Sequence, residues 1–475
     1  MSDFILAIDQ GTTGTKSHRL YTDGRFETLA GFEHRQILPA SGWVEHDPEE
    51  LIGHIARCIE NGGMARAIGI ANQGETVIAW DAQTKRAIYN AIVWQDSRTN
   101  DAITGLKEAG HEETTLARAG LPLDPYFSAS KLRWLLDNVD EAKALLKQGR
   151  LRLGTSDAFF LDRLANTFAT DVTTASRTSL MNLDTLSWDP VLCNLFGIPM
   201  ECLPEIRSTA DNFGAIGMTP VTASVVDQQA ALFGHGCRKT GDAKITFGTG
   251  AFALCIAGDK PLRDIASGLL PTIAWRLKNA APAYALDGGV YNAASAVNWA
   301  RNLGLFGHYT EIDAFTATSA ISRDLAFVPA LSGLGCPYWD RSAAGMWLGL
   351  GLDTSKTDMM QALLEGVALR AGEVIAAMSR LAPIGNCISI DGGLAKNSYF
   401  GHFVADALGR EIVIPASTEL TGLGTAQLAL IGADLATLDT LPPPPAPKIR
   451  LAAGQLPDEQ RMKFRTAVSR SRNWR

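Results

Sequence analysis

Several things are missing from this 475-residue chain, and each absence narrows its chemistry. No CxxC pair occurs among its seven cysteines, Cys58, Cys193, Cys202, Cys237, Cys255, Cys336 and Cys387, which argues against a zinc knot. The odd, scattered set suits free thiols in a reducing cytoplasm. No Walker loop, GxxxxGK[ST], is present. The uncharged runs near 245–258 and 325–339 are too short and too broken by Gly or Pro to span a bilayer. The first residues carry no basic segment and no cleavage site, so no signal peptide is expected. A formal net charge of −7 argues against a nucleic-acid surface.

What is present is an ordinary globular balance, 46% apolar and 20% charged. The length exceeds one hydrophobic core and points to two large domains. Glycine is frequent, 45 residues, which suits tight turns and close backbone approach to a ligand.

Both halves begin alike. Residues 4–8 and 16–21 read as strands around Asp9-Gln10-Gly11-Thr12-Thr13-Gly14-Thr15. Residues 243–247 and 251–257 read as strands around Gly248-Thr249-Gly250. This weak internal repeat predicts two related α/β lobes with a boundary near residue 236: 1–236, 237–440, and a tail from 441 to 475. Asp23-Gly24 signals a hairpin. A helix is expected to start at Asp47, with Pro48 in its first turn and Glu50 completing a capping-box variant. Further helices are expected over 131–138, 158–164, 292–302, 357–380, 397–408 and 421–432. Residues 441–447 read as a stiff polyproline spacer, and the basic tail beyond as a solvated helix rather than a partner-binding arm.

Four stretches carry polar chemistry. The first Gly/Thr loop offers backbone amides and hydroxyls to one concavity, a nest suited to phosphate oxygens. Asp9, at the strand end beside it, suits Mg²⁺ through water. A plain hairpin would explain the glycines but requires neither three threonines nor the aspartate. Gly248 to Ala253 matches GxGxxA, yet a strand follows where a dinucleotide fold requires a helix, so a second phosphate hairpin fits better. Asp391-Gly392-Gly393 ends a strand, and its glycines let backbone approach a flat ligand such as a purine; Asn397 can cap the next helix or touch that ligand. A plain strand-to-helix turn explains this stretch equally well. Asp227 follows an apolar run and is either a general base for a hydroxyl, a helix N-cap, or both.

A fifth stretch, Asn72-Gln73-Gly74-Glu75-Thr76, places an amide pair, a carboxylate and a hydroxyl between two apolar strands. In order, DQGTTGT, NQGET, NAIVWQD, ASRT, DQQAALFG, FGTGAF, GLGCPYWD and DGGLAKN resemble the FGGY carbohydrate kinases, and among them the glycerol kinases. The resemblance runs from about residue 4 to about residue 432.

It implies an α/β fold of two actin-like (ribonuclease-H-like) lobes, with ATP and acceptor in the cleft between them. Asp227 matches the family's base and Asp9 the acid that holds Mg²⁺. Thr12, Thr13 and Lys16 match the first phosphate loop, and Thr249 the second. Ala294, Asn298, Gly393 and Asn397 match the adenosine side. Gly74, Glu75, Trp94, Tyr126, Asp227, Gln228 and Phe252 match the acceptor pocket; the three aromatics could be core, but their joint match to an apolar pocket wall favours function.

The resemblance also implies a cytoplasmic enzyme, a homodimer or homotetramer, with a small polyol or sugar as substrate and neither nucleic acid nor membrane as partner. Glycerol is the expected acceptor, with erythritol or a ketose such as xylulose as the alternative, because Gly74 stands where glycerol kinases carry Arg. Lys16 replaces another Arg, while Ala294 and Asn298 replace Gly and Gln. A kinase-like binding protein without turnover would be expected to lose Asp9 or Asp227, and both are present.

Overall fold

The structure, a computed structural model, describes residues 4–442 and 446–475. The first lobe opens with β1 (Phe4–Gln10), β2 (Gly14–Tyr21) and β3 (Phe26–Glu33), an antiparallel meander. Helix α1 (Pro48–Gly62) follows and returns the chain to β4 (Ile68–Asn72), which lies parallel to β1. Asp47 caps α1 by accepting the Glu49 amide at 2.9 Å. The capping box is not completed, because Glu50 instead accepts the Arg35 amide.

β5 (Val77–Asp81) leaves for a separate four-stranded sheet that also holds β6 (Leu151–Thr155). The polar knot at 72–76 therefore joins two sheets and is not a hairpin. Between these strands lies α2 (Ser128–Asn138), and after them α3 (Ser156–Leu164). β7 (Thr219–Val226) completes the six-stranded sheet beside β4, in parallel, and runs directly into α4 (Asp227–Gly234).

The second lobe repeats the opening. β8 (Ala243–Phe247) and β9 (Ala251–Gly258) pair antiparallel, and β10 (Leu270–Trp275) and β11 (Ala283–Val290) extend the sheet. Helices α5 (Ala294–Asn302) and α6 (Lys356–Leu381) follow. β12 (Cys387–Asp391) then lies parallel to β8, as β4 lies parallel to β1. After α7 (Ser398–Leu408) comes β13 (Glu411–Pro415). The seven-stranded order is β10-β11-β9-β8-β12-β13-β14, the last being Pro447–Leu451.

Chain order and packing diverge at α8 (Leu420–Gly432). Leu420, Leu423 and Ala426 are buried with Ile5, Ala7 and Ala230, so the helix docks on the first lobe's sheet. Helix α9 (Asp458–Ser471) corrects the expectation of a solvated tail. Phe464, Ala467 and Val468 fall at helical spacing and are buried in the second lobe's core. Arg461 donates to the Ala407 carbonyl at 2.5 Å, and Lys463 pairs with Asp324. The tail's cations thus fasten the helix around its apolar stripe. The spacer is corrected too, since Pro447 already begins β14; Pro443, Pro444 and Pro445 lie outside the described residues. Among the described residues no helix is long and apolar enough to cross a membrane, and all seven cysteines are free.

Candidate active site

Three parallel strands, β7, β4 and β1, release their chains at one edge of the first sheet. Their carboxyl ends deliver Asp227, Gln73-Gly74-Glu75 and Asp9 side by side, since Val226 pairs with Asn72 and Asp9 with Ala71. Ligands in open α/β sheets bind at such ends. In the second lobe, β8 and β12 end likewise at Gly248-Thr249 and at Asp391.

One cavity of about 170 Å³ brings together Thr12, Gly74, Glu75, Trp94, Tyr126, Asp227, Gln228, Thr249 and Phe252. Most residues expected in the acceptor pocket and both phosphate loops thus share a wall. The aromatics are not merely core. Trp94 meets Tyr126 edge-on at 5.6 Å and Phe252 at 6.4 Å. Its indole N–H donates to Thr12 Oγ1 at 2.9 Å, tying the apolar wall to the first loop.

A second cavity, of about 520 Å³, gathers Ala294, Asn298, Gly393 and Asn397 with Tyr309 and Ile312. Asn397 caps α7 through the Phe400 amide at 2.7 Å and also donates to the Ile312 carbonyl at 2.7 Å. The two glycines of the turn divide the work. Gly392 has φ +92°, and a Cβ there would lie 2.3 Å from the Phe247 carbonyl oxygen, so glycine is what lets β12 close against β8. A Cβ at Gly393 would meet nothing, which leaves the cavity wall flat. The second loop is fastened to α5, whose Ala294 and Ser295 amides donate to the Gly248 and Thr249 carbonyls.

Three expected residues stand apart. Asp9, at the end of β1, lines neither cavity. Thr13 is exposed and lines neither cavity. Lys16 is held by Glu419, at the start of α8, at 2.9 Å rather than left free for a ligand. The Asp227 side chain does not N-cap its helix; Val226 holds that position, and Asp227 Oδ1 accepts the Gln228 amide at 2.7 Å.

Electrostatics single out the two aspartates. Burial, then the Asp227 charge, raises Asp9 to about 7. Burial, then the Glu75 charge, raises Asp227 to about 7. Both residues keep some exposed surface, and water there moderates the shift. A buried carboxylate whose ionisation a neighbouring negative charge opposes attracts either a proton or a cation.

Two residues at or beside the cavity escaped the sequence reading. Arg177 lies buried at the cavity wall, donating through Nε to Glu75 Oε1 at 2.6 Å and lying 3.1 Å from Asp287 Oδ2 through Nη1. Burial opposes its charge, but Glu75 and Asp287 outweigh it and hold the guanidinium above its ordinary value. Burial pushes Glu75 up, with Arg177 opposing. Glu75 itself sits at φ 56°, a left-handed conformation that is strained for a non-glycine residue and common at ligand sites. Lys244, fully buried, donates to Gln228 Oε1 at 2.5 Å and fixes that amide beside Asp227.

Residues 4–234 match the N-terminal domain of the FGGY family of carbohydrate kinases, and residues 243–433 its C-terminal domain. The chain belongs to the FGGY family of carbohydrate kinases. It is therefore a kinase that transfers phosphate to an alcohol. A glycerol kinase of Bdellovibrio bacteriovorus is 42% identical over 452 residues, 91% of each chain. One from Geobacter sp. is 42% identical over 458 residues, 92% of this chain and 91% of that one. Among solved structures, Plasmodium falciparum glycerol kinase with ADP superposes with TM-score 0.90 at 30% identity, covering 99% of this chain and 98% of that one. A xylulose kinase of Lactobacillus acidophilus gives TM-score 0.87 at 22% identity over 98% and 96%, a likeness of fold. The two lobes are those of the actin-like ATPase fold.

Proposed function

We propose that this FGGY kinase moves the γ-phosphate of ATP to a primary hydroxyl of a small polyol, with glycerol as the smallest acceptor, giving ADP and glycerol 3-phosphate. The observation that carries this reading is the single cavity in which Asp227, Glu75, Arg177 and the Trp94–Tyr126–Phe252 wall meet the Thr12 and Thr249 loops.

Each part has a task. The aromatic wall covers the carbon chain, and Glu75 accepts a hydroxyl hydrogen bond. Arg177 supplies the guanidinium that Gly74 cannot. Asp227 accepts the proton of the attacking hydroxyl as the new P–O bond forms. The bond from the γ-phosphorus to the bridging oxygen breaks, and ADP leaves with that oxygen. A base held near 7 is matched to this step. Phosphoryl transfer otherwise asks for positioning and charge neutralisation.

Adenosine fits the Ala294–Asn397 cavity, whose flat wall at Gly393 suits a purine. Mg²⁺ fits Asp9, whose buried carboxylate lies at the end of β1 beside the first Gly/Thr loop, where one carboxylate, phosphates and water would hold the metal. Bound there, it would neutralise phosphate charge. Free, mostly buried thiols favour a cytoplasmic setting, and assembly as a homodimer or homotetramer belongs to the same reading.

The test is ATP consumption with Mg²⁺ against glycerol, erythritol, xylitol, xylulose and ribulose. Acceptor-dependent ADP release that Asp227→Asn abolishes supports the proposal. A folded, ATP-binding protein inactive on the whole panel contradicts it.

A further inference from the structure

Among the described residues two lysines are fully buried, where an ammonium is seldom found unless paired. Lys131 has a plain structural use: its ammonium ends on the main-chain carbonyls of Pro125, Tyr126 and Phe127 and closes a loop. Lys244, on β8 of the second lobe, is placed differently. It donates to Gln228 Oε1 at 2.5 Å and to Thr246 Oγ1 at 2.9 Å, and both partners line the acceptor cavity. Gln228 belongs to α4, in the first lobe, so the contact bridges the lobes beside that cavity. An ammonium carries donors and no acceptor, so the Gln228 atom it meets is the carbonyl oxygen. The NH2 group of Gln228 is then left to donate elsewhere.

Neither partner of Lys244 is a carboxylate, so its charge acts at longer range. Four ionisable groups face it: Asp391 at the end of β12, Asp227 at the start of α4, Asp287 on β11 and the Cys237 thiol after α4. Burial pushes that thiol far up and keeps it neutral. Asp391 lies 3.4 Å from His235, and Asp287 lies 3.1 Å from Arg177. Asp227 holds only the Gln228 amide among the described residues. Burial, then Glu75, opposes the Asp227 charge, and Asp9 adds a further negative neighbour. The Gln228 amide, then Lys244 and Arg177, favour it. Arg177 is already engaged by Glu75 and Asp287, which leaves Lys244 as the cation with no carboxylate bonded to it.

We infer that Lys244 is a positioning residue for the transfer: from the second lobe its ammonium fixes the Gln228 side chain and holds the neighbouring Asp227 carboxylate in the charged form that accepts a proton. This deepens the kinase reading and rests on Asp227 acting as its base. Lys244 itself lines neither cavity, so it acts through Gln228 and Asp227.

Two variants test it. Lys244→Met keeps length and apolar volume but removes charge and donors; Lys244→Gln removes the charge and keeps a donor for Gln228. The kcat/KM for glycerol is followed from pH 6 to 8.5. Loss of a nearby cation should move the acidic limb up by about one unit. For both variants the loss against wild type should then be about fivefold to tenfold greater at pH 6 than at pH 8.5. Lys244→Met should add a loss that is the same at every pH, because Gln228 is no longer held. A merely structural lysine would give only that second kind of loss.

Thermal melts without ligands give a readout that needs no turnover. Folding raises Asp227, so its charge destabilises increasingly as pH rises, with full effect above 7, and losing the cation enlarges that effect. Either variant should lower Tm by about 1–2 °C more beside Asp227 than in the Asp227→Asn background at pH 8, and equally in both at pH 5. Losses independent of pH together with additive melts would overturn the inference and leave the kinase standing. Failure of both variants to fold would assign the lysine to structure and overturn it as well. Coupled melts in a protein that phosphorylates no acceptor would keep the link between Lys244 and Asp227 and remove the kinase reading.

Discussion

Replacing Asp227 with Asn should abolish transfer and stabilise the protein, and the second effect depends on pH in a defined direction. Burial and the Glu75 charge hold Asp227 at about 7, against an ordinary value of 3.8. Its folded-state value is raised, so its contribution to stability is full below the ordinary carboxylate range. That contribution is lost as pH rises through 7. At about 1.4 kcal/mol per unit, a gap of some three units sets an upper limit of about 4 kcal/mol at pH 8. The residue keeps some exposed surface, and screening by water there brings the expectation to about 1–2 kcal/mol. For a protein of this size that is a rise in Tm of a few degrees. Asn keeps the carbonyl that accepts the Gln228 amide at 2.7 Å, so the local backbone is preserved. Scanning calorimetry of both proteins, without ligands, should show the variant's gain over wild type largest at pH 8 and clearly smaller at pH 5, since the loss sets in above the ordinary value of 3.8 and is complete near 7. An equal gain at both pH values, or a loss at pH 8, would refute the electrostatic account of this residue.

The same group should govern rate: kcat/KM should climb as pH rises through about 7, where Asp227 loses its proton, and a flat profile from pH 6 to 8 would count against it as base. Gly74→Arg should improve glycerol kcat/KM and lower that of longer acceptors; a Cβ there lies 3.2 Å from Val226 Cγ1, a contact that a small shift relieves, and loss of glycerol turnover would undo the account of this position. Arg177→Met leaves Glu75 and Asp287 as unpaired buried acids, so denaturant titration should find a loss of about 3–5 kcal/mol, with acceptor KM raised in whatever fraction folds. Phe464→Ala should destabilise by about 3–5 kcal/mol in thermal or urea melts, since the ring is buried in the second lobe's core; a change below about 0.5 kcal/mol would mean the tail helix is not docked.

Local features were legible because local physics sets them. The strand–loop–strand openings at Asp9 and Thr249 follow from apolar runs broken by Gly and Thr, and Asn397 capped its helix as its type and place predicted. Arg177 was visible within ASRT, but nothing local tells that it spans to Glu75 and Asp287, 102 and 110 positions away in the chain. Asp287 did leave a trace, a lone carboxylate in the apolar run Ala285-Leu286-Asp287-Gly288. The tail was misjudged because its cations outweighed the stripe Phe464, Ala467 and Val468, which signals a buried face. Docking of α8 on the first sheet is a long-range event that chain order conceals.

The central claim is transfer from ATP to a polyol hydroxyl, and phosphorus NMR of one reaction tests it. With ATP, Mg²⁺ and glycerol or erythritol, the account predicts an acceptor phosphomonoester appearing in step with ADP, and neither forming with Asp227→Asn. Inorganic phosphate released at the same rate with and without acceptor would contradict it.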